Sequence, residues 1–269
     1  MLNLMKFGTF LLLAAMTLAP AQAQLRAPNE AGVRWGHWHF SAKDVDAQTK
    51  FWHTLGAVDV HIGTVTMIAF PGTMIGIKKA DNIEPMAGSN TNHAGLYVKD
   101  LAATQAQWSA AGISIDGYKA GAPNFFVNGP DGIRIEIYEN KDLPTPIATH
   151  HTHFYAADPI AERDWYVKWF GATPGKRGPS DTAQVPGMEL AFVASKDPLA
   201  PTKGRGLDHI GFDVKDLRAF IKKLQDGKSG AIVEGEPRAG RIEGELVCFI
   251  TDPFGTYIEL TENLEPIKK

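Results

Sequence analysis

The chain of 269 residues contains a single cysteine, Cys248, so no intrachain disulfide can staple the fold. Cys248 lies in the apolar, strand-like run Glu-Leu-Val-Cys-Phe-Ile, which reads as a buried position rather than a reactive thiol. A basic stripe is also missing. The 27 Lys and Arg are interspersed with 30 Asp and Glu, for a net charge of −3, so nucleic acid is not an expected partner. After residue 23 no apolar stretch is long enough to read as a transmembrane helix. Histidine is absent from residues 154–208 and again from 210–269. What remains is an ordinary globular composition, with 44% apolar and 21% charged residues.

Residues 1–23 differ from the rest. Lys6 gives a positive start, Phe10 to Leu18 is a short apolar run, and Ala21-Gln22-Ala23 is a small-x-small site. This is the layout of a secretory signal peptide cut before Gln24. A periplasmic or secreted protein is the expectation, with no membrane span after cleavage. Residues 24–32 then read as an extended arm.

The main signal is a repeat. His37, His93, His151 and His209 are each followed seven residues later by an aspartate, Asp44, Asp100, Asp158 and Asp216. Each histidine sits in a strand-like run, and each aspartate suits the N-cap of a helix. The helices expected are Val45 to Leu55, Leu101 to Ala111, Ile160 to Phe170 and Leu217 to Leu224, ending at or near Gly56, Gly112, Gly171 and Gly227. Strand-like runs follow, the last of them introduced by a turn: Pro71-Gly72, Gly129-Pro-Asp-Gly132, Pro186-Gly187 and Asp252-Pro-Phe-Gly255. The chain is therefore four strand–helix–strand–strand–strand modules. A proline-marked segment, residues 143–149, separates two halves.

Four βαβββ modules with a histidine on each first strand resemble the vicinal oxygen chelate superfamily, the group of glyoxalases, bleomycin resistance proteins and extradiol dioxygenases. The resemblance covers about residues 33–263. It implies an α+β fold in which modules pair into two open-barrel domains, expected here at 33–142 and 150–265. It also implies metal ligands from the first and last strands of each module. Those positions hold His37, His93, His151 and His209 on first strands, and Glu136 and Glu259 on the last strands of modules two and four. Modules one and three hold Gly76 and Ala191 there. Paired in sequence order, the expected sets are His37, His93, Glu136 and His151, His209, Glu259. Two imidazoles and one carboxylate suit a divalent metal and leave positions open for substrate, with Fe²⁺ or Mn²⁺ favoured and Zn²⁺ or Ni²⁺ compatible. A carboxylate in an apolar strand such as Ile-Glu-Ile is costly to bury unless it is paired or metal-bound.

Around these positions, His39 and His153 lie two beyond a ligand histidine and so share its strand face, as Arg134 and Tyr257 share the face of the glutamates. His153 and Tyr257 are the expected catalytic residues, His153 as an acid or base. Glu243 and Glu245 could serve as bases but read as solvated groups, as do Lys203 and Arg205, whose charge could otherwise meet an anionic substrate. His53 and His61 read as surface residues.

The resulting expectation is a secreted metalloprotein, an extradiol dioxygenase-like oxygenase or a lyase acting on a small oxygen-chelating, aromatic substrate. One departure from the dioxygenases is the absence of histidine from 154–208 and 210–269, where their acid–base residues lie. The alternatives are a non-enzymatic, antibiotic-type small-molecule binding protein and a glyoxalase-like lyase or isomerase. Gly76 and Ala191 count against the last, because glyoxalase I uses a glutamate at both positions.

Overall fold

The structure, a computed structural model, describes residues 24–264. The expected signal peptide lies outside the described residues. All four modules form. Module one is β1 (Val33–Ala42), α1 (Val45–Thr54), β2 (Val58–Ile62), β3 (Val65–Phe70) and β4 (Thr73–Lys79). Module two is β5 (Thr91–Val98), α2 (Leu101–Ala110), β6 (Ser114–Asp116), β7 (Asn124–Asn128) and β8 (Arg134–Glu139). Module three is β9 (Ile147–Ala156), α3 (Pro159–Phe170), β10 (Thr173–Arg177), β11 (Ser180–Val185) and β12 (Met188–Ala194). Module four is β13 (Leu207–Val214), α4 (Leu217–Asp226), β14 (Ile232–Ala239), β15 (Leu246–Thr251) and β16 (Tyr257–Glu262).

The four aspartates cap their helices. Asp44, Asp100, Asp158 and Asp216 each accept a hydrogen bond from the amide three residues on, at 2.8–3.0 Å, satisfying a donor that has no partner inside the helix. The first three helices end at glycines in the left-handed region, Gly56, Gly112 and Gly171. At the fourth, Gly227 keeps a right-handed conformation. There the lack of a side chain matters for space, because a Cβ would overlap the Trp169 ring.

The modules do not pair in sequence order. One eight-stranded sheet runs β14-β15-β16-β13-β1-β4-β3-β2, joining module four to module one. The other runs β10-β11-β12-β9-β5-β8-β7-β6, joining module three to module two. At the centre of each, two first strands lie antiparallel, β1 with β13 and β5 with β9, and each is flanked by the last strand of its own module in parallel. The expected division into 33–142 and 150–265 is therefore corrected. The connection lengths give the reason. Residues 140–146 are the shortest inter-module link, so β9 folds back beside β5 in the same sheet. The longer links, 80–90 and 195–206, carry the chain from one sheet to the other and run beside each other, bridged at Glu84–Arg205 and Ser89–Ala200.

Each sheet curls into an open cup. In the first, Val65 and Met67 of β3 line the same cavity as Val247 and Phe249 of β15, strands from opposite arms of the sheet. Alternation along β1 points His37 and His39 into this cup. Trp38 and Phe40 point away from it into the main core, where both are fully buried. The Trp38 indole donates to Thr152 Oγ1 of β9 at 2.9 Å, tying the backs of the two sheets together. The helices complete this core: Trp52 of α1 packs on Phe40 and Phe70, and Phe170 of α3 packs on Phe212 and Phe220. Each such ring contributes roughly 1.5–3 kcal/mol by burial.

One buried acid stands out in this core. Glu162 of α3 is 1% exposed, and its Oε1 has no hydrogen-bond partner. Burial, and then the charge of nearby Asp252, push its carboxyl well above the usual range. Burial also raises Asp252, to about 6, although Asp252 accepts hydrogen bonds from Tyr166 Oη and the amides of Phe254 and Thr256. A group whose pKa is raised on folding contributes its full stability below the unfolded value and loses it as pH rises through the folded one. Glu162→Gln should therefore be about 1–2 kcal/mol more stable than the natural protein at pH 8, with the gain shrinking towards pH 5. Urea unfolding at the two pH values checks this, and an equal effect at both would refute it.

Candidate metal centres

In the first cup, His37 and His39 come from β1, His209 from β13 and Glu259 from β16. Their ligand-capable atoms all lie within 4.8 Å of one another. His37 Nε2 and His209 Nε2 stand 3.1 and 2.9 Å from the same oxygen, Glu259 Oε2. The second cup repeats this with β5, β8 and β9. His93 Nε2 and His151 Nε2 lie 2.9 and 3.3 Å from Glu136 Oε2 and 3.1 Å from each other. His153 groups with His93 and His151.

Two features of the sheet make this convergence possible. Glycines leave room for the rings: a Cβ on Gly211 would overlap the His37 imidazole, and one on Gly95 would overlap that of His151. In addition, a register shift falls beside every first-strand histidine. The unpaired residue is Gly36, Asn92, His150 or Asp208, in each case the one just before the histidine. An extra residue in one strand bends it and re-aims the side chain. In three modules that residue then reaches the Nδ1 of the histidine that follows it. Asp208 Oδ1 is 2.7 Å from His209 Nδ1, Asn92 Oδ1 is 2.6 Å from His93 Nδ1, and His150 Nδ1 is 3.0 Å from His151 Nδ1. In module one the residue is Gly36, and His37 Nδ1 is buried without a partner. These contacts fix ring orientation and turn Nε2 towards the centre of the cup.

The electrostatics favour a cation at both centres. Burial works to raise Glu259, but hydrogen bonds with His209 and His37 outweigh it and hold the carboxylate well below its usual range. Glu136 behaves alike, with His151 and His93 outweighing burial. For His209, burial opposes protonation, yet Asp208 and Glu259 push its pKa up. Burial, then the charges of His209 and His37, bring His39 down to about 2, while burial, then His93 and His151, bring His153 down to about 3. Both are thus neutral imidazoles, able to offer a lone pair.

The donor sets fit a divalent metal. Donors each about 2.1 Å from one ion stand roughly 3.0 Å apart at right angles and about 3.4 Å apart in a tetrahedron. The spacings in both cups, 2.9–3.3 Å, match that interval to within about 0.1 Å. Asp208 also accepts from Lys78 Nζ at 2.9 Å and Gly204 N at 2.8 Å, so it is itself held in place. Asp208→Asn should weaken metal binding in the first cup by roughly 10- to 100-fold, as seen for groups that orient a ligand. Competition with a coloured chelator reads this, and an unchanged affinity would count against the orienting role.

The structure regroups the residues singled out in the sequence. All six first- and last-strand residues lie in the cups, but as His37, His209, Glu259 and His93, His151, Glu136, not as the two sets expected from sequence order. His153 and Tyr257, expected around one centre, lie in different cups. The first cup gains from module one the histidine that module four lacks, namely His39. Lys203 lines that cup, whereas Arg205 donates to the carbonyls of Pro85 and Pro201 and holds the two long links together. Glu245 is buried and accepts from the amides of Arg241 and Ile242, while Glu243 is exposed. His53 and His61 are exposed, beside Asp59 and Thr66, and Cys248 is fully buried. Asn92, His150 and Asp208 are not apparent in the sequence because plain alternation puts them on the other face. Their one signal was their place directly before a repeated histidine.

The cups differ in what surrounds the centre. Phe249 and Phe126 occupy equivalent places, opposite Glu259 and Glu136. In the first cup Tyr257 stacks on Phe249 with centroids 5.2 Å apart, and the two form one wall of a cavity of about 490 Å³. In the second, Arg134 takes the place of Tyr257. Its guanidinium lies 3.5 Å above the Phe126 ring and bonds Asn92 Oδ1 at 3.3 Å, covering the ring.

Comparison with known proteins agrees with this fold. Residues 148–260 match the family model described as the Glyoxalase/Bleomycin resistance protein/Dioxygenase superfamily. No curated protein sequence matches the chain. Glyoxalase I from Zea mays is 16% identical, with a TM-score of 0.67 over 86% of this chain and 92% of that one. A point variant of the same enzyme gives a TM-score of 0.70 at the same identity and coverage. A putative dioxygenase from Bacillus subtilis is 14% identical, with a TM-score of 0.65 over 90% of this chain and 87% of that one. At such identities the likeness is one of fold. The matched segment spans modules three and four, which this chain places in different sheets. Residues 148–260 thus resemble the Glyoxalase/Bleomycin resistance/Dioxygenase superfamily, and the chain as a whole shares the two-cup fold of glyoxalase I and of the putative dioxygenase.

Proposed function

We propose that the protein is an exported, divalent-metal-dependent enzyme whose active centre is the first cup, acting as an oxygenase or lyase on a small, anionic, planar substrate that chelates the metal through oxygen. The observation that carries this reading is the coincidence, in one cavity, of the His37–His209–Glu259 donor set with a substrate-sized, aromatic-walled space. The metal would supply Lewis acidity and hold the substrate beside its co-reactant. The rest follows from the chain's own residues. Phe249 and Tyr257 present stacked rings against which a planar substrate can lie. Tyr257 is fixed by donating to Glu234 Oε2 at 2.9 Å, and Lys203 lies 4.2 Å from its ring. Arg238 lies 5.5 Å from the Phe249 ring, and Lys78 and Arg241 also line the cavity. Lys78 and Lys203 are paired with Asp208 and Glu234, which leaves Arg238 and Arg241 as the lining cations that favour an anionic group on the substrate. Val65, Met67, Ile242 and Leu264 supply an apolar part of the wall that excludes water from the centre.

Export is part of the proposal and rests on residues 1–23. The test is elemental analysis of the protein purified from the periplasm, where metal should be bound in a near-stoichiometric amount. Less than about a tenth of an equivalent of any transition metal would sink the enzyme reading in favour of a metal-free binding protein using the same cup.

A further inference from the structure

Each cup holds one histidine more than a two-imidazole, one-carboxylate set requires, and its position follows a rule of register. In every module, the residue two after the first-strand histidine lies beside the inward-facing position of the last strand. The pairs are Gly211 with Glu259, Gly95 with Glu136, His39 with Gly76, and His153 with Ala191. Two modules thus put the bulk on the last strand and glycine on the first. The other two put histidine on the first strand and a glycine or alanine on the last. The exchange is spatial as well as sequential. A Cβ on Gly76 would stand 2.5 Å from His39 Nδ1, so the ring fills the space through which a last-strand side chain would enter the cup.

We propose that His39 and His153 are the fourth metal ligands of their cups, each standing in for a second last-strand donor, so that both sites are three-imidazole, one-carboxylate centres. This rests on the reading above that the cups bind divalent metal. Two further observations support it. His39 belongs with His37, His209 and Glu259 to one group of mutually close donor atoms, and His153 belongs likewise with His93 and His151. His39 Nε2 is also buried with no hydrogen-bond partner in the protein, an arrangement that is unfavourable unless something else satisfies that nitrogen. The reaction class follows from the count. Four protein donors on an ion of about six-fold coordination leave two places, which one bidentate oxygen chelator fills. A chelated substrate and dioxygen together would need three. The fourth ligand therefore favours lyase or isomerase chemistry over an oxygenase that binds dioxygen on the metal.

The test begins with the natural mature chain loaded with Cu²⁺. Electron paramagnetic resonance should show nitrogen hyperfine structure from three imidazoles per copper, and a pattern from two would overturn the assignment. His39→Ala, titrated with Co²⁺ or Zn²⁺ in a His93→Ala background that silences the second cup, should lose about 100-fold in affinity. His39→Ala/Gly76→Glu should recover most of that loss while its Cu²⁺ signal keeps only two nitrogens. An undiminished affinity in His39→Ala would also refute the proposal. If the natural chain takes up no divalent metal in either cup, the metal reading itself falls, a result distinct from binding metal through two imidazoles.

Discussion

Substituting alanine for His37 should strip about half of the divalent metal from the chain, and adding His209→Ala should then remove nothing more. Adding His93→Ala to His37→Ala, by contrast, should remove nearly all of it. The pattern follows from the pairing of modules. His37 and His209 meet at one oxygen of Glu259, and His93 meets His151 at Glu136 in the other sheet. Ligands of one ion act as a unit, so once the first is gone the loss from a second is not additive, whereas losses at separate centres add. Had the modules paired in sequence order, His37 and His93 would be the redundant pair and His37 with His209 the additive one. Elemental analysis after dialysis against a mild chelator distinguishes the two. Additive loss in His37→Ala/His209→Ala would refute the observed pairing as the arrangement that binds metal.

The second large effect comes from a single methyl group. In Gly211→Ala the new Cβ would fall within the His37 ring. That ring is 3% exposed and lies over Gly211, its cross-strand partner on β13, so a methyl group there must displace it. Either His37 leaves the centre or the central strands part. Metal in the first cup should be lost as completely as in His37→Ala, and turnover should fall about 100-fold or more, because misplacing a group at a reacting centre by about 1 Å already costs that much. Overpacking should cost only about 1–3 kcal/mol of stability, so the variant should still fold. Gly95→Ala crowds His151 in the same way. It should empty the second cup and leave the activity intact. Metal content and turnover of the two variants side by side check this. Equal loss of turnover in both would mean that the first cup is not the sole active centre.

Much of this architecture is legible in the sequence, and what is hidden is hidden for identifiable reasons. The pairing of His37 with Asp44, His93 with Asp100, His151 with Asp158 and His209 with Asp216 gives the modules, because a strand and an N-cap each leave a local signature. The burial of Glu136 and Glu259 in apolar strands marks the last-strand donors. Which modules join is not local. The hydrophobic pattern of β1 suits β5 as well as β13, and only the short link at 140–146 against the longer ones at 80–90 and 195–206 distinguishes them. Asp208, Asn92 and His150 are hidden by the register shifts, since an extra residue in one strand leaves the alternation of apolar and polar residues almost unchanged. The exchange between His39 and Gly76 becomes visible only once β1 and β4 are placed in register.

The order in which the modules join also governs how the chain can assemble. The sheet of modules two and three is continuous in sequence, from β5 to β12, so its central pair closes over a modest loop. The other sheet is nested around it, because β1 must wait for β13, and Val33 meets Val214 only after everything between them has been made. A chain emerging from its amino end, whether from the ribosome or through a membrane, therefore carries module one as an unpaired half-sheet while the inner sheet closes. The cost of closing the outer loop is entropic and rises only slowly with length, but contacts of such separation form late. The first cup, with its centre shared between the two ends of the chain, is thus the last part of the molecule to exist.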